Sequence, residues 1–188
     1  MMLDPQKTLL VLIDVQEKLT AVMHEREALV ANLVKLLKGM NVLGPPVIQV
    51  EQNPVKMGPT IPELLPLLPG NPPLTKTCFS CAGSEAFNEA VKASGRKQIL
   101  IAGIETHVCV YQTAVTLIRD SYAVEVVADA VSSRHPQDHA IGLEKIREAG
   151  RHSNGSGQGH VTTVETVLFE LMRTADHSAF REILKIVK

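Results

Sequence analysis

Cys109 and Asp14 are the residues of this 188-residue chain whose types and settings could do chemistry. Cys109 comes shortly after the apolar run QILIAGI (residues 98–104), so its thiol falls within the first turn or so of a helix leaving a buried strand. Unpaired backbone N–H groups and the positive end of the helix dipole favour thiolate there, and a lowered pKa and a nucleophile are expected. Cysteine is also among the most buried residue types and often only fills space, and position alone does not separate the two roles. Asp14 closes a second apolar run, TLLVLI (residues 8–13). A carboxylate at the end of such a strand is costly unless paired or used, so a cation or a thiol proton is expected beside it. Glu105 closes the first run in the same manner, and the three residues share one rim.

Other candidates are weaker when read from residue type and spacing. Lys76 stands alone in LTKTCFSC, and a lone Lys is usually solvated. Cys78 and Cys81 form a Cys-x-x-Cys pair, but there is no second pair for a zinc site and no strand-to-helix redox turn around it. Their sulfurs would have to come within bonding distance for a redox reading. His107, two residues before Cys109, need not face it from a first helical turn, and a supporting or surface role is expected.

The elements that must hold these residues follow from the apolar pattern. Residues 8–13, 47–50, 98–104, 124–128 and 161–163 read as strands, the first and third as fully buried ones. Between them, residues 25–43, 84–94, 106–120 and 136–148 read as helices, with Ser84 as a cap and Gly95 as a stop. Residues 164–172 and 179–187 read as closing helices. The stretch 52–73 holds seven of the eleven prolines and should be irregular apart from a turn near 61–65. Strand–helix alternation predicts a mostly parallel sheet covered on both faces, with a ligand site outside the carboxyl ends of the strands.

Composition sets the wider limits. The length suits one domain spanning residues 1–188. Nineteen basic against twenty acidic residues, a net charge of −1, provide no field to hold a polyanion, so nucleic acid is not expected as a partner. No apolar run is long enough to cross a bilayer and MMLDPQK lacks a signal-peptide layout. Three cysteines, an odd count, argue against a disulfide framework, and a reduced cytoplasmic setting is expected.

The segment Ala102-Gly103-Ile104-Glu105-Thr106-His107-Val108-Cys109-Val110, with Asp14-Val15-Gln16 before it and the isolated Lys76 between, resembles the isochorismatase-like cysteine hydrolases. The likeness runs along nearly the whole chain, through ADAVSSR (128–134) and TVETVLF (163–169). It implies a three-layer α/β/α fold around a six-stranded, mostly parallel sheet. It also implies a catalytic triad in which Asp14 takes the Cys109 proton, Lys76 holds both groups, and the thiolate forms an acyl-enzyme. A cis peptide would fall at Ile104–Glu105, and the N–H groups of Glu105 and Cys109 would form an oxyanion hole. Gln16, Gln52, Phe79 and Ile104 would line the substrate site.

Within that superfamily, nicotinamidases carry a metal-binding Asp-x-His cluster with a further His in the loop after strand two. Here residues 51–60 (EQNPVKMGPT) contain no His, so no metal and no cofactor are expected. Isochorismatases proper typically lack the cysteine, and Cys109 points instead to acyl chemistry on a small amide or related substrate. The loops are most similar to the isochorismatase-domain-containing subgroup, and a homo-oligomer is expected. The competing reading is a non-catalytic oligomeric scaffold that keeps the fold. Residues 151–160 (RHSNGSGQGH) depart from the family pattern as a polar insertion, placed at the rim opposite Cys109.

Overall fold

The structure, a computed structural model, describes residues 2–151 and 157–188. Six strands, β1 (Thr8–Ile13), β2 (Val47–Gln52), β3 (Leu74–Lys76), β4 (Gln98–Ile104), β5 (Ala123–Ser132) and β6 (Gln158–Thr162), form one sheet. Their order is β3-β2-β1-β4-β5-β6, and every neighbouring pair is parallel. The chain winds outward from β1 in one direction and then returns to pass outward from β4 in the other. The strand order therefore reverses between β1 and β4, where open parallel sheets form their ligand crevice.

Alternation along the strands assigns the two covering layers. Leu10 and Leu12 of β1 and Leu100, Ala102 and Ile104 of β4 pack with α2 (Arg26–Leu43), α7 (Val164–Met172) and α8 (Phe180–Val187). Leu9, Val11 and Ile13, with Ile99 and Ile101, face α4 (Glu85–Ser94), α5 (Tyr111–Arg119) and α6 (Pro136–Arg151) on the other side. Two short helices, α1 (Glu17–Thr20) and α3 (Pro54–Met57), lie on the loops at the carboxyl rim. The three-layer α/β/α arrangement is the expected one. With one Phe, Phe87, among its fully buried side chains, the core is built almost wholly from branched aliphatics.

Several boundaries differ from the pattern-based reading. β3 was not apparent: LTK has no apolar run, and it becomes a strand only by pairing Val50–Gln52 with Leu74–Lys76. β5 runs on to Ser132 through a register shift opposite Ile101 and Gly103. The turn expected near 61–65 is a 3₁₀ turn at Leu65–Leu67. Ser84 holds the N-cap position of α4, but its side chain makes no capping hydrogen bond, whereas Gly95 ends the helix in the left-handed region at φ 66°. β6 takes up residues 158–160 of the expected polar insertion, and its stretch 152–156 lies outside the described residues. β6 starts opposite Ala123, the first residue of β5, which is the rim away from Cys109.

Gly103 is required where the strand order reverses. It pairs with Ile13, has φ +114°, and a Cβ there would meet the Ile13 carbonyl oxygen. Only glycine allows β4 to approach β1 this closely beside Asp14.

One buried carboxyl in the sheet lies away from this rim. Glu125 of β5, 4% exposed, is pushed up to about 7 by burial and by repulsion from Glu170 of α7. Its ordinary value is 4.5. Between those two pH values the folded chain holds a proton that the unfolded chain has released, so stability falls as pH rises through the window. At 1.36 kcal/mol per pH unit the ceiling is about 3 kcal/mol. Glu125→Gln, which mimics the protonated form, should therefore raise the melting temperature by about 5 °C at pH 8 and leave it unchanged near pH 4.5. Thermal denaturation at the two pH values checks this, and an equal gain at both would exclude the titration.

Candidate active site

Asp14 leaves β1 with φ 55°, a left-handed conformation that Asp tolerates better than most residues. Its N–H donates to the Val50 carbonyl at 3.0 Å, which continues the β1–β2 ladder and turns the side chain into the rim. β3 delivers Lys76 to the same place from the sheet edge. The Lys76 ammonium donates to Asp14 Oδ2 at 2.7 Å and to Gln52 Oε1 at 2.7 Å, and lies 3.6 Å from Cys109 Sγ. The Lys76 and Asp14 side chains are 0% and 1% exposed. Three residues separated by up to 95 positions thus meet around one ammonium.

Cys109 arrives by a different local geometry from the plain helix start expected. Residues Thr106–Val110 form a π-helical turn, in which the Val110 N–H reaches back five residues to the Glu105 carbonyl at 3.2 Å. α5 then continues from Tyr111. The peptide bond Ile104–Glu105 is cis.

The electrostatics correct the expectation of an acidic thiol. Burial raises the Cys109 pKa, the Asp14 carboxylate raises it further, and the Lys76 ammonium opposes them. At 7% exposure within the apolar cluster of α4, α5 and α6, desolvation is the largest influence on the thiol. Burial also raises Asp14, against the pull of Lys76, making its carboxylate a better proton acceptor. For Lys76, burial favours the neutral amine, but the Asp14 carboxylate beside it holds the ammonium above its ordinary range. Asp14 Oδ1, fully buried, has no hydrogen-bond partner among the described residues.

The remaining expected site residues fall into distinct positions. Gln52 is the third member of the Lys76 shell, and its Nε2 donates to the Thr77 carbonyl at 2.9 Å. Gln16 is fully buried and its amide holds backbone: Nε2 donates to the carbonyls of Gln52 (3.1 Å) and Gly58 (2.6 Å), and Oε1 accepts from the Gln52 N–H at 2.7 Å. Phe79 is 56% exposed on the loop after β3. The Ile104 side chain packs in the α2–α7 layer, the face opposite Cys109, so only its backbone reaches the rim. Glu105 directs its carboxylate to Arg134, accepting from the Arg134 N–H at 3.0 Å and Nε at 3.2 Å.

Two features had no signal in the sequence. Glu51, 5% exposed, accepts from the Thr60 N–H and hydroxyl at 2.8 and 2.7 Å, and its charge adds to the rise in Asp14. Thr106, fully buried in the π turn, shares a 2.9 Å hydrogen bond with His139 Nδ1 across 33 residues. Cys78 and Cys81 are both free, and burial pushes the Cys81 thiol up to about 12, which makes it unreactive. Among the described residues, no group of three or more His, Cys, Asp or Glu side chains is arranged to hold a metal ion, and no helix is long and apolar enough to cross a membrane.

Comparison with known proteins follows the same lines. The family model described as Isochorismatase domain matches residues 8–165. Mouse isochorismatase domain-containing protein 2A is 34% identical over 184 residues, 98% of this chain and 84% of that protein. A Caenorhabditis elegans structure named MAR1 ribonuclease superposes with a TM-score of 0.89 at 30% identity, covering 100% of this chain and 92% of that one. YcaC from Escherichia coli, described as an octameric hydrolase of unknown specificity, has a TM-score of 0.89 at 26% identity, with 98% and 90% covered. YcaC from Pseudomonas aeruginosa, solved with hexane-2,5-diol and covalent acrylamide, has a TM-score of 0.89 at 25% identity, with 98% and 91% covered. Likeness in sequence over nearly its whole length, joined to this fold, makes the chain a member of the isochorismatase family.

Proposed function

We propose that the chain is a cysteine hydrolase that cleaves a small amide or related C–N or acyl substrate through a thioester on Cys109. What carries this reading is the Lys76 ammonium placed between Asp14 Oδ2 (2.7 Å) and Cys109 Sγ (3.6 Å), with the second Asp14 oxygen unpartnered. In the resting site the thiol keeps its proton, since burial and Asp14 both disfavour the thiolate. Asp14 takes that proton as Sγ attacks the substrate carbonyl carbon, and Lys76 balances the charge that moves onto sulfur. The N–H groups of Glu105 and Cys109 receive the developing oxyanion. Collapse breaks the C–N bond, with Asp14 returning the proton to the leaving nitrogen. Water, deprotonated by Asp14, then attacks the thioester, releases the acid and restores the thiol. Side chains and backbone N–H groups fill every role in this scheme, so it calls on no metal or cofactor.

Several features frame the proposal. The covalent acrylamide in the Pseudomonas aeruginosa relative shows that a related fold takes up a small amide-bearing electrophile. The octameric Escherichia coli relative supports a homo-oligomer, and three free cysteines fit a reducing, cytoplasmic setting. A ribonuclease, as the Caenorhabditis elegans structure is named, would need cations free for phosphate. The cation beside Cys109, Lys76, is instead paired with Asp14.

The test is intact-mass and peptide mass spectrometry after exposure to p-nitrophenyl acetate and a panel of small amides, carbamoyl compounds and hydroxamates, with an RNA oligonucleotide as a parallel arm. An acyl adduct on Cys109 that is absent from Cys109→Ala is expected. Cys109 left unmodified by the whole panel would overturn the hydrolase reading in favour of a scaffold, and RNA cleavage that survives Cys109→Ala would move the chemistry elsewhere.

A further inference from the structure

The π turn that presents Cys109 is held from outside by α6. His139 and Gly142, one helical turn apart, face it together. Gly142 lies so close that a Cβ would come within 3.0 Å of the His107 Cα and N. His139 Nδ1 is 2.9 Å from the hydroxyl of Thr106, which is fully buried and has no other hydrogen-bond partner among the described residues. His107, next along, shares a 2.9 Å hydrogen bond with Ser133 through its Nδ1. The turn is thus held by His139, Gly142 and Asp138 of α6, the last 4.0 Å from His107 Nε2, and by Ser133 just after β5.

The Thr106 contact depends on protonation. A neutral His139 with a bare Nδ1 accepts the Thr106 proton; a protonated ring must donate there, which leaves a buried hydroxyl hydrogen with no acceptor. Resting on the cysteine-hydrolase reading, we propose that His139 is a positioning residue for Cys109, its neutral ring pinning the π turn through Thr106 and its protonation releasing that turn.

The surroundings suit such a role. His139 borders a cavity of about 140 Å³ lined also by His24, Glu25, Asn32 and Asp129, roomy enough for water to carry a proton to the ring. Burial lowers the His139 pKa, His24 lowers it further and Glu25 opposes them, which keeps the ring neutral near pH 7. The titratable groups around it are His24 and Glu25 from the segment before α2, Asp129 from β5, His107 from the turn, His135 just before α6, and Asp138 from α6 itself.

The experiment measures Cys109 acylation by p-nitrophenyl acetate from pH 5 to 8 in the wild type, in His139→Asn, whose Oδ1 can accept where Nδ1 did, and in His139→Leu. Hydrogen exchange of the peptide spanning residues 105–111 is followed in the same samples. His139→Leu should acylate about tenfold more slowly at pH 7.5, the scale of one lost hydrogen bond. His139→Asn should stay within about twofold at pH 7.5 and show a smaller acid-side fall than the wild type, keeping only the part set by protonation of Asp14. Exchange protection of the turn should drop in His139→Leu, and in the wild type at pH 5, but not in His139→Asn. Superimposed pH profiles of wild type and His139→Asn would overturn the proposal, as would normal acylation by a folded His139→Leu. If the wild type itself fails to acylate Cys109, the hydrolase reading falls separately. The exchange data then decide the pinning contact, with equal protection in all three proteins counting against it.

Discussion

Asp14→Asn should lower the rate of Cys109 acylation by about 10³- to 10⁴-fold at pH 7.5, the upper range for removal of a general base. The high figure follows from the burial that raises the Cys109 thiol. A solvated cysteine can supply a little thiolate unaided, whereas this one cannot without a base at hand. The amide keeps the size of the carboxylate and can still accept from Lys76, but it takes up no proton. The residual rate should therefore climb tenfold for each pH unit between 7 and 9, since hydroxide has become the only route to thiolate. Burst kinetics with p-nitrophenyl acetate at several pH values give both quantities, and circular dichroism confirms the fold. A residual rate independent of pH would remove Asp14 from the proton's path.

Lys76→Met should damage both activity and stability, for one electrostatic reason. Removing one partner of a buried ion pair strands the other charge, at a typical cost of 3–5 kcal/mol. Asp14, 1% exposed, would respond by holding a proton, which disables it as a base and lowers acylation by about 10³-fold. In the variant the folded-state pKa of Asp14 lies further above its unfolded value, so stability declines as pH rises between them. Urea denaturation should find Lys76→Met closer to wild type at pH 5 than at pH 8. Adding Asp14→Asn, a neutral residue that also tolerates φ 55°, should recover much of the lost stability at pH 8 and none of the activity, because no buried charge is then left without its partner. A double variant as unstable as the single one would mean that Lys76 supports the fold mainly by its packing.

The pattern of legibility in the sequence has physical causes. β1 and β4 are continuous apolar runs because both faces of a central parallel strand are covered, and Asp14 and Glu105 mark their ends. β3 was hidden since an edge strand of three residues needs no apolar run; its register with β2 is a long-range property. Lys76 accordingly carried no local signal and entered only through the family likeness. The π turn read as an ordinary helix start, because one extra residue per turn leaves the apolar spacing of α5 almost unchanged. The acidity of Cys109 was misjudged for a related reason: the helix start was visible in the sequence, but the apolar walls that bury the thiol come from other elements. The contact between Thr106 and His139 joins two helices with no motif between them.

The division of the site between the middle and the margin of the sheet bears on how such a protein can change over time. Asp14 and Cys109 are anchored where β1 meets β4, in the most heavily covered part of the molecule, and substitutions there disturb the core. Lys76 is anchored by three residues at the outermost strand, next to a proline-rich loop that reaches the core through Ile61 and Leu64 and leaves most of its other residues at the surface. Mutational drift can lengthen, shorten or redecorate that margin while β3 keeps its register and the ammonium its place. The buried cluster of Asp14, Lys76 and Cys109 can thus be inherited intact as the surface around it diverges from one lineage to the next.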